Sequence, residues 1–214
     1  MTATAHRSDL RLLALHGLRL RPIASPATVA DIAGAGTAEV EEQLTALVAD
    51  GLVVRREGRI SGFALLPAGR QTHQQLITDE LEATGTRDAV YGAYRRFLAL
   101  NGDLLEICTA WQLKDPLAQV LNDHDDPDYD RGVIDRLVEL HERVRPVLAD
   151  LRDTLDRYRP YGERFEAALS KVLAGETSFV ADPMVPSYHT VWFELHEDLL
   201  ATLGIDRASE GSLR

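Results

Sequence analysis

The sequence predicts a mainly α-helical protein with one small β-hairpin, built from an N-terminal module and a C-terminal helical bundle. Apolar residues recur at helical spacing through most of the 214 residues. One stretch, residues 52–66, instead carries two short β-prone runs around a glycine. From Arg87 onward the apolar pattern is helical again, so the β-structure is expected only in the N-terminal module.

The composition is that of an ordinary globular protein. The chain is 45% apolar and 27% charged, and no apolar run approaches the roughly 20 residues that cross a bilayer. Arg7, Asp9 and Arg11 interrupt the apolar residues of the N-terminus, which therefore does not resemble a signal peptide. The single cysteine, Cys108, excludes an internal disulfide. These features predict a cytoplasmic protein with no membrane partner.

The net charge of −11 is unevenly distributed along the chain. Residues 1–72 contain eight Arg or Lys and seven Asp or Glu, a balance of +1, which leaves −12 for residues 73–214. Because an acidic surface repels phosphates, any contact with nucleic acid has to come from the N-terminal module.

Three helices are predicted at the start of the N-terminal module. The first spans residues 8–18, with Ser8 as its N-cap. Ser25, followed by a proline, marks the start of the second helix, which stops at Gly34. Thr37 is predicted to cap the third helix, whose end is marked by an Asp-Gly pair.

A hairpin and a fourth helix complete the module. The β-prone runs at residues 52–54 and 60–66 flank three arginines and Gly58, which is typical of two strands joined by a glycine-containing turn. Pro67 then opens a helix that continues to about residue 82.

Helix, tight helix pair, hairpin and helix is the order of elements in a winged helix-turn-helix. The sequence resembles MarR-like bacterial regulators in three segments: SPATVADIA (25–33), LTALVADGLVV (44–54) and LLPAGR (65–70). The resemblance covers about a third of the chain. It implies a transcriptional regulator that binds double-stranded DNA as a homodimer.

In such regulators the third helix enters the major groove and the wing contacts phosphate. The matching positions are three on the helix and three on the wing: Thr37, Glu39, Thr45, Arg55, Arg56 and Arg59. The arginines suit phosphate, whereas Glu39, Glu41 and Glu42 bring three carboxylates toward the groove. Acidic residues also suit the N-terminus of any helix, because they complement its dipole. A winged helix used for protein contact therefore stays open beside DNA binding.

The C-terminal part is predicted to form a bundle of four to five helices, at residues 88–113, 129–158, 161–174 and 188–203, the last capped by Ser187. In the longest helix, eight residues recur at alternating spacings of three and four: Ile134, Leu137, His141, Val144, Leu148, Leu151, Leu155 and Tyr158. Such a seam packs along another helix, either within the chain or across a dimer interface. Pro146 is expected to kink this helix.

These elements predict four parts of the chain. Residues 8–70 form the winged helix-turn-helix domain, and residues 71–86 form a connecting helix. Residues 87–204 form a helical domain for dimerisation and ligand binding, and residues 205–214 form a flexible tail.

Polar and aromatic side chains on apolar helix faces predict a pocket for a small anionic or aromatic effector. They are Trp111, His141, Tyr188, His189, Trp192 and His196. The alternative is that each histidine is a core residue satisfied by one hydrogen bond. A metal site is disfavoured, because His189 and His196 lie seven residues apart, whereas a zinc-binding helix places its histidines four residues apart.

No catalytic residue, metal or cofactor is expected. The acidic loop at residues 122–130 lacks the glycine and the bidentate glutamate of an EF-hand, and its last aspartates are predicted to cap the next helix. The sequence contains no nucleophile elbow, phosphate-binding glycine loop or dinucleotide fingerprint. Cys108 is placed on an apolar helix face, where a thiol is inert. An enzyme is therefore the disfavoured class.

Two functions of different classes remain. The first is a cytoplasmic, dimeric DNA-binding regulator whose helical domain binds a small-molecule effector. The second is an accessory or interaction module that does not bind DNA. Three segments are similar to winged-helix regions that accompany pyruvate phosphate dikinase-like proteins: LNGD (100–103), CTAWQ (108–112) and SYHTVW (187–192). The acidic third helix and the acidic C-terminal part favour this second function.

Overall fold

The computed structural model describes residues 5–59, 61–115 and 117–207, and these residues are mainly helical. The helices are α1 (Leu10–Leu20), α2 (Pro26–Ala33), α3 (Thr37–Ala49), α4 (Pro67–Thr84), α5 (Arg87–Gln112), α6 (Pro127–Thr154), α7 (Arg159–Leu173) and α8 (Tyr188–Leu203). The strands are β1 (Val53–Arg56), β2 (Gly62–Leu65), β3 (Leu113–Asp115) and β4 (Val120–Leu121). Short 3-10 helices span Asp156–Tyr158 and Thr177–Phe179. The predicted fold class, mainly helical with a small antiparallel sheet, is confirmed.

Two predictions fall partly outside the described residues: Ile60, at the start of the second predicted hairpin run, and residues 208–214 of the predicted tail. Among the helices of the described ranges, none has an apolar stretch long enough to cross a lipid bilayer.

Local capping explains why several helices begin and end where the sequence predicts. The Ser25 hydroxyl accepts a hydrogen bond from the Thr28 N–H at 3.2 Å, and α2 ends at Gly34 in the left-handed region. Ser187 caps α8 in the same way, at 3.2 Å from the Thr190 N–H. Asp126 caps α6, as predicted for the end of the acidic loop.

Two predicted N-caps are wrong. Asp9, not Ser8, caps α1, with its carboxylate 2.8 Å from the Arg11 N–H. The Ser8 hydroxyl is instead buried and accepts a hydrogen bond from Arg157. Thr37 is the first residue of α3 rather than its cap, and the carboxylate of Glu39 accepts a hydrogen bond from the N–H of the preceding glycine.

The helix predicted at residues 129–158 ends before the last two residues of the predicted seam, Leu155 and Tyr158. It ends at Thr154, because Leu155 adopts an extended conformation and forms a β-bridge with His6. Tyr158 therefore lies in the 3-10 helix that follows, although both it and Leu155 remain buried. The seam of α6 packs within the chain, against α5 and α7. Pro146 lies inside α6 without ending it.

The second hairpin was not predicted. The apolar pattern predicts helices throughout the C-terminal part, but β3 and β4 pair after α5 ends at Gln112. The Asn122 N–H donates to the Gln112 carbonyl at 2.9 Å, which closes this hairpin against the helix end. Both strands are short and largely exposed, so they lack the alternating apolar pattern that marks a strand.

The buried apolar residues form two clusters that meet at α1. The smaller cluster joins α1, α2, α3, β1 and β2, and the larger one joins α4 to α8. Leu12 belongs to the larger cluster, whereas Leu15 and Leu18 belong to the smaller one. Every residue from 12 to 18 is buried, so α1 has no solvent-facing side over nearly two turns.

The β1–β2 hairpin is held to the helices at two points. Ala24, just before α2, exchanges two backbone hydrogen bonds with Phe63 of β2, at 3.1 and 2.8 Å. At the other end, Gly69 of α4 lies so close to Leu52 that a Cβ atom would be 2.1 Å from the Leu52 carbonyl oxygen. Only glycine permits this approach of the two backbones.

Candidate functional site

The six predicted DNA-contacting residues are all exposed on one part of the molecule, α3 and the β1–β2 hairpin: Thr37, Glu39, Thr45, Arg55, Arg56 and Arg59. Two of them already make local hydrogen bonds. The Glu39 carboxylate lies 3.3 Å from the Gly36 N–H, and the Thr45 hydroxyl donates to the Glu41 carbonyl at 2.8 Å. These bonds fix the side chains along the helix rather than toward a partner.

The hairpin arginines are the available cations of this surface. Within the described ranges, none of Arg55, Arg56 and Arg59 forms an ion pair. Arg55 lies over the ring of Phe63, at 5.9 Å from its centre. Their guanidinium N–H groups are therefore open to acceptors such as phosphate oxygens.

The exposed face of α3 has the opposite charge. Its 13 residues include Glu39, Glu41 and Glu42 and contain neither lysine nor arginine. Glu41 and Glu42 are exposed, and within the described ranges neither pairs with a cation. The hairpin suits a polyanion, whereas the helix beside it suits a cationic partner or a base amine.

The predicted effector residues are distributed differently from the expected pocket. Tyr188, Trp192 and His196 of α8 are buried in the larger core, and His141 of α6 accompanies them. The His141 Nδ1 lies 3.2 Å from the Tyr188 hydroxyl. Phe97 stacks on Trp192 with ring centres 4.4 Å apart and also contacts His196. These rings pack against one another as core residues.

The other two predicted effector residues lie elsewhere. Trp111, at the end of α5, packs on His124 with ring centres 4.5 Å apart. His189 is half-buried, and burial lowers its pKa. His141 borders a groove between α6 and α7, where Arg145 and Glu166 supply part of the wall.

A buried polar network crosses the junction between α1 and the C-terminal helices. The Nε2 atom of His16 in α1 lies 3.0 Å from a carboxylate oxygen of Asp198 in α8, and its Nδ1 atom lies 3.0 Å from His73 Nε2 in α4. Since a carboxylate only accepts, His16 Nε2–H is the donor to Asp198. The Tyr161 hydroxyl of α7 donates to the other Asp198 oxygen at 3.0 Å. Three helices, α1, α7 and α8, thus meet at Asp198, and α4 joins them through His16.

A second buried group continues the network. The Arg157 guanidinium forms an ion pair with Glu80 of α4 and donates to the hydroxyl of Ser8 at 2.8 Å. Thr202 lies 3.4 Å from it and also accepts a hydrogen bond from Tyr158 at 2.9 Å. The side chains of Arg157 and Glu80 are 2% and 6% exposed, so this is an ion pair out of contact with bulk water.

The surroundings of Asp198 and His73 shift the pKa values of both groups. Burial alone would raise the pKa of Asp198, but His16 and Arg157 hold it below its ordinary value. Burial, reinforced by His16, lowers the pKa of His73 to about 3. At neutral pH the network therefore contains a carboxylate at Asp198 and a neutral imidazole at His73.

Acidification is expected to destabilise the protein through His73. The unfolded chain takes up a proton near pH 6.5, whereas folded His73 does so only near pH 3, so stability falls as pH drops below 6.5. Between pH 7.5 and pH 5 the loss from this residue is about 2 kcal/mol. Urea unfolding at both pH values measures it. His73→Gln should reduce the loss by that amount, whereas the exposed control His124→Gln should not; equal losses in all three proteins would contradict the assignment.

The network borders a cavity of about 250 Å³ between α1, α2, α7 and α8. We call it the junction cavity. Leu13, Leu20, Ile32 and Pro160 form its apolar wall. At its outer edge the Glu194 carboxylate pairs with two guanidiniums, those of Arg21 and Arg164.

Sequence reasoning missed this network and the junction cavity, because the partners are far apart in the chain. His16 and Asp198 are separated by 182 residues. One signal was present in the last helix: Val191, Leu195, Asp198 and Thr202 recur at spacings of four, three and four, which places a carboxylate on an apolar stripe. A buried aspartate requires donors, so this position indicated a polar partner inside the fold.

The sequence inference about Cys108 has a structural counterpart. Cys108 is buried, and burial raises the pKa of its thiol to about 11, which agrees with an inert side chain. Across residues 5–59, 61–115 and 117–207, no three His, Cys, Asp or Glu side chains are placed to hold a metal ion together.

Comparison with known proteins gives no match: no family model, no curated protein and no solved structure is similar to this chain.

Proposed function

We propose that this protein is a cytoplasmic, dimeric transcriptional regulator of the MarR-like winged-helix type, which binds double-stranded DNA through α3 and the β1–β2 hairpin. The observation that carries the proposal is the set of three exposed hairpin arginines without ion pairs among the described residues. Arginines of this kind neutralise phosphates and release bound counterions.

The packing of the N-terminal helices supports the same proposal. The helix pair α2 and α3 is in direct contact, and β1 begins four residues after α3 ends. The hairpin therefore follows the third helix at once, as in a winged helix-turn-helix. Two backbone hydrogen bonds between Ala24 and Phe63 tie the hairpin to the residue just before α2.

Removing the hairpin arginines is expected to weaken DNA binding without regard to sequence. The triple variant Arg55→Ala, Arg56→Ala, Arg59→Ala loses up to three phosphate contacts, which lowers the slope of log K against log salt by about 2.7. Fluorescence anisotropy over a salt series, with the gene's upstream duplex and a scrambled duplex, measures both effects.

A matched control removes the same charge from another surface. Arg95, Arg131 and Arg136 are exposed on α5 and α6, and their triple alanine variant should keep the wild-type slope. If the hairpin variant binds as tightly as the wild type at moderate salt, the hairpin does not contact DNA.

A second function has its own observation. The exposed glutamates of α3 and the −12 charge of residues 73–214 favour an accessory module that contacts a protein, for example a pyruvate phosphate dikinase-like enzyme. Wild-type protein that binds neither duplex at low salt, together with a copurifying partner lost on Glu41→Lys, would favour this function over DNA binding.

A further inference from the structure

The junction cavity lies where the N-terminal helices meet the C-terminal ones. Leu13 and Leu20 come from α1, Ile32 comes from α2, and Pro160 comes from α7. A molecule in this cavity would therefore contact both parts of the chain at once. Its volume of about 250 Å³ exceeds the roughly 150 Å³ of an apolar cavity that holds benzene, so a small organic molecule fits.

The acceptors that line the junction cavity are largely occupied. One Asp198 oxygen accepts from His16 at 3.0 Å and from Thr202 at 3.2 Å, and the other accepts from Tyr161 at 3.0 Å. The Glu194 carboxylate lies between two guanidiniums. The third acid of the lining, Asp31, is exposed to solvent. Asp198 and Glu194 therefore offer little to a ligand that only donates hydrogen bonds, and Asp31 is the acceptor of the lining that stays open to one.

Donors, in contrast, are in excess. Arg21 and Arg164 each carry five guanidinium N–H groups and share the single carboxylate of Glu194. Their side chains are 44% and 35% exposed, so the remaining N–H groups are accessible. Arg157, which also lines the cavity, has a buried Nε–H with no hydrogen-bond partner among the described residues. Because that N–H is buried, the accessible donors of the cavity are those of Arg21 and Arg164.

We propose that the junction cavity binds a small monocarboxylate with a short aliphatic body. The ligand carboxylate accepts hydrogen bonds from the open N–H groups of Arg21 and Arg164. The aliphatic part packs on Leu13, Leu20 and Ile32. Guanidinium and carboxylate are matched in geometry, and the two guanidiniums favour a carboxylate over neutral and cationic ligands of the same shape. The site is distinct from the aromatic core of Tyr188 and Trp192, and it does not depend on DNA binding.

Hexanoate, hexanamide and hexylamine have similar aliphatic chains and differ in the charge of the head group. Comparing them tests which charge the junction cavity prefers. Isothermal titration of the full-length protein without DNA should show saturable hexanoate binding, at least about tenfold tighter than for hexanamide. Hexylamine, which the exposed Asp31 carboxylate can attract, should still bind at least about tenfold more weakly than hexanoate. Equal affinity for hexanoate and hexanamide, a preference for hexylamine, or no saturable hexanoate binding up to about 10 mM would each overturn the proposal.

Variants at the outer edge separate a ligand contact from a structural role. Arg21→Gln and Arg164→Gln should each weaken hexanoate binding about tenfold, whereas Arg96→Gln, which removes an exposed ion pair between α5 and α6, should not. Glu194→Gln removes the competing carboxylate and should tighten hexanoate binding about threefold or more. A Glu194→Gln protein that remains folded by circular dichroism and binds hexanoate more weakly than the wild type would contradict the assignment.

Discussion

Replacing Arg157 by methionine is expected to lower the free energy of unfolding by about 3–5 kcal/mol. The main reason is that the buried Glu80 carboxylate would lose its partner, and the lost attraction itself matters less. Without the guanidinium, the Glu80 carboxylate remains buried, with the His6 imidazole 3.3 Å away. The hydroxyls of Ser8 and Thr202 also lose the donor that now lies 2.8 and 3.4 Å away.

Urea unfolding can separate these contributions. Adding Glu80→Leu to the methionine variant should restore most of the loss, because a buried apolar pair replaces a buried unpaired charge. Arg159→Met is the matched control: Arg159 is exposed and pairs with Asp156 on the surface, so it should cost at most about 1 kcal/mol. An Arg157→Met loss no larger than that of Arg159→Met would show that the buried pair does not stabilise the fold.

Gly69→Ala is expected to have the second large effect, a loss of about 3 kcal/mol or more. The new Cβ would lie 2.1 Å from the Leu52 carbonyl oxygen and 3.2 Å from a methyl group of Leu65. The Leu52 oxygen cannot move easily, since it accepts the Leu66 N–H at 2.9 Å. The helix or the hairpin must shift instead, so the DNA binding that we propose should weaken together with stability.

A second glycine provides the control for helix propensity. Gly92 lies in α5, and a Cβ there meets nothing within 4 Å. Gly92→Ala should therefore stabilise the protein by up to about 1 kcal/mol. Thermal and urea unfolding of both variants test the contrast. If Gly69→Ala unfolds within about 1 kcal/mol of the wild type, the contact between α4 and Leu52 is looser than the structure shows.

Local signals account for the parts of the fold that the sequence predicts well. Ser25, Gly34 and Ser187 each act on backbone groups within a few residues, so their meaning is readable without the rest of the chain. The end of α6 was harder to predict, because Leu155 leaves the helix to pair with His6, far away in the sequence. Apolar spacing alone continues past that point and hides the break.

The candidate sites also divide into those with a local signal in the sequence and those that depend on distant residues. The hairpin arginines are adjacent in sequence, so their common exposure follows from the hairpin itself. His141, Tyr188 and Trp192 were predicted to line a pocket because periodicity shows which face they occupy. It does not show whether another ring, such as Phe97, fills the space in front of them. The junction cavity depends on four helices at once and has no local signature.

The position of α1 has a consequence for how the molecule is made. Its buried face is completed by Asp198, a residue synthesised 182 positions after its partner His16. During translation α1 emerges long before α8 exists, so until then His16 lacks its carboxylate partner, and His73 of α4 is the partner that becomes available first. Contacts of such long sequence separation form late and slow the final folding step. We therefore expect the chain to be most prone to aggregation during translation, before α8 has been synthesised.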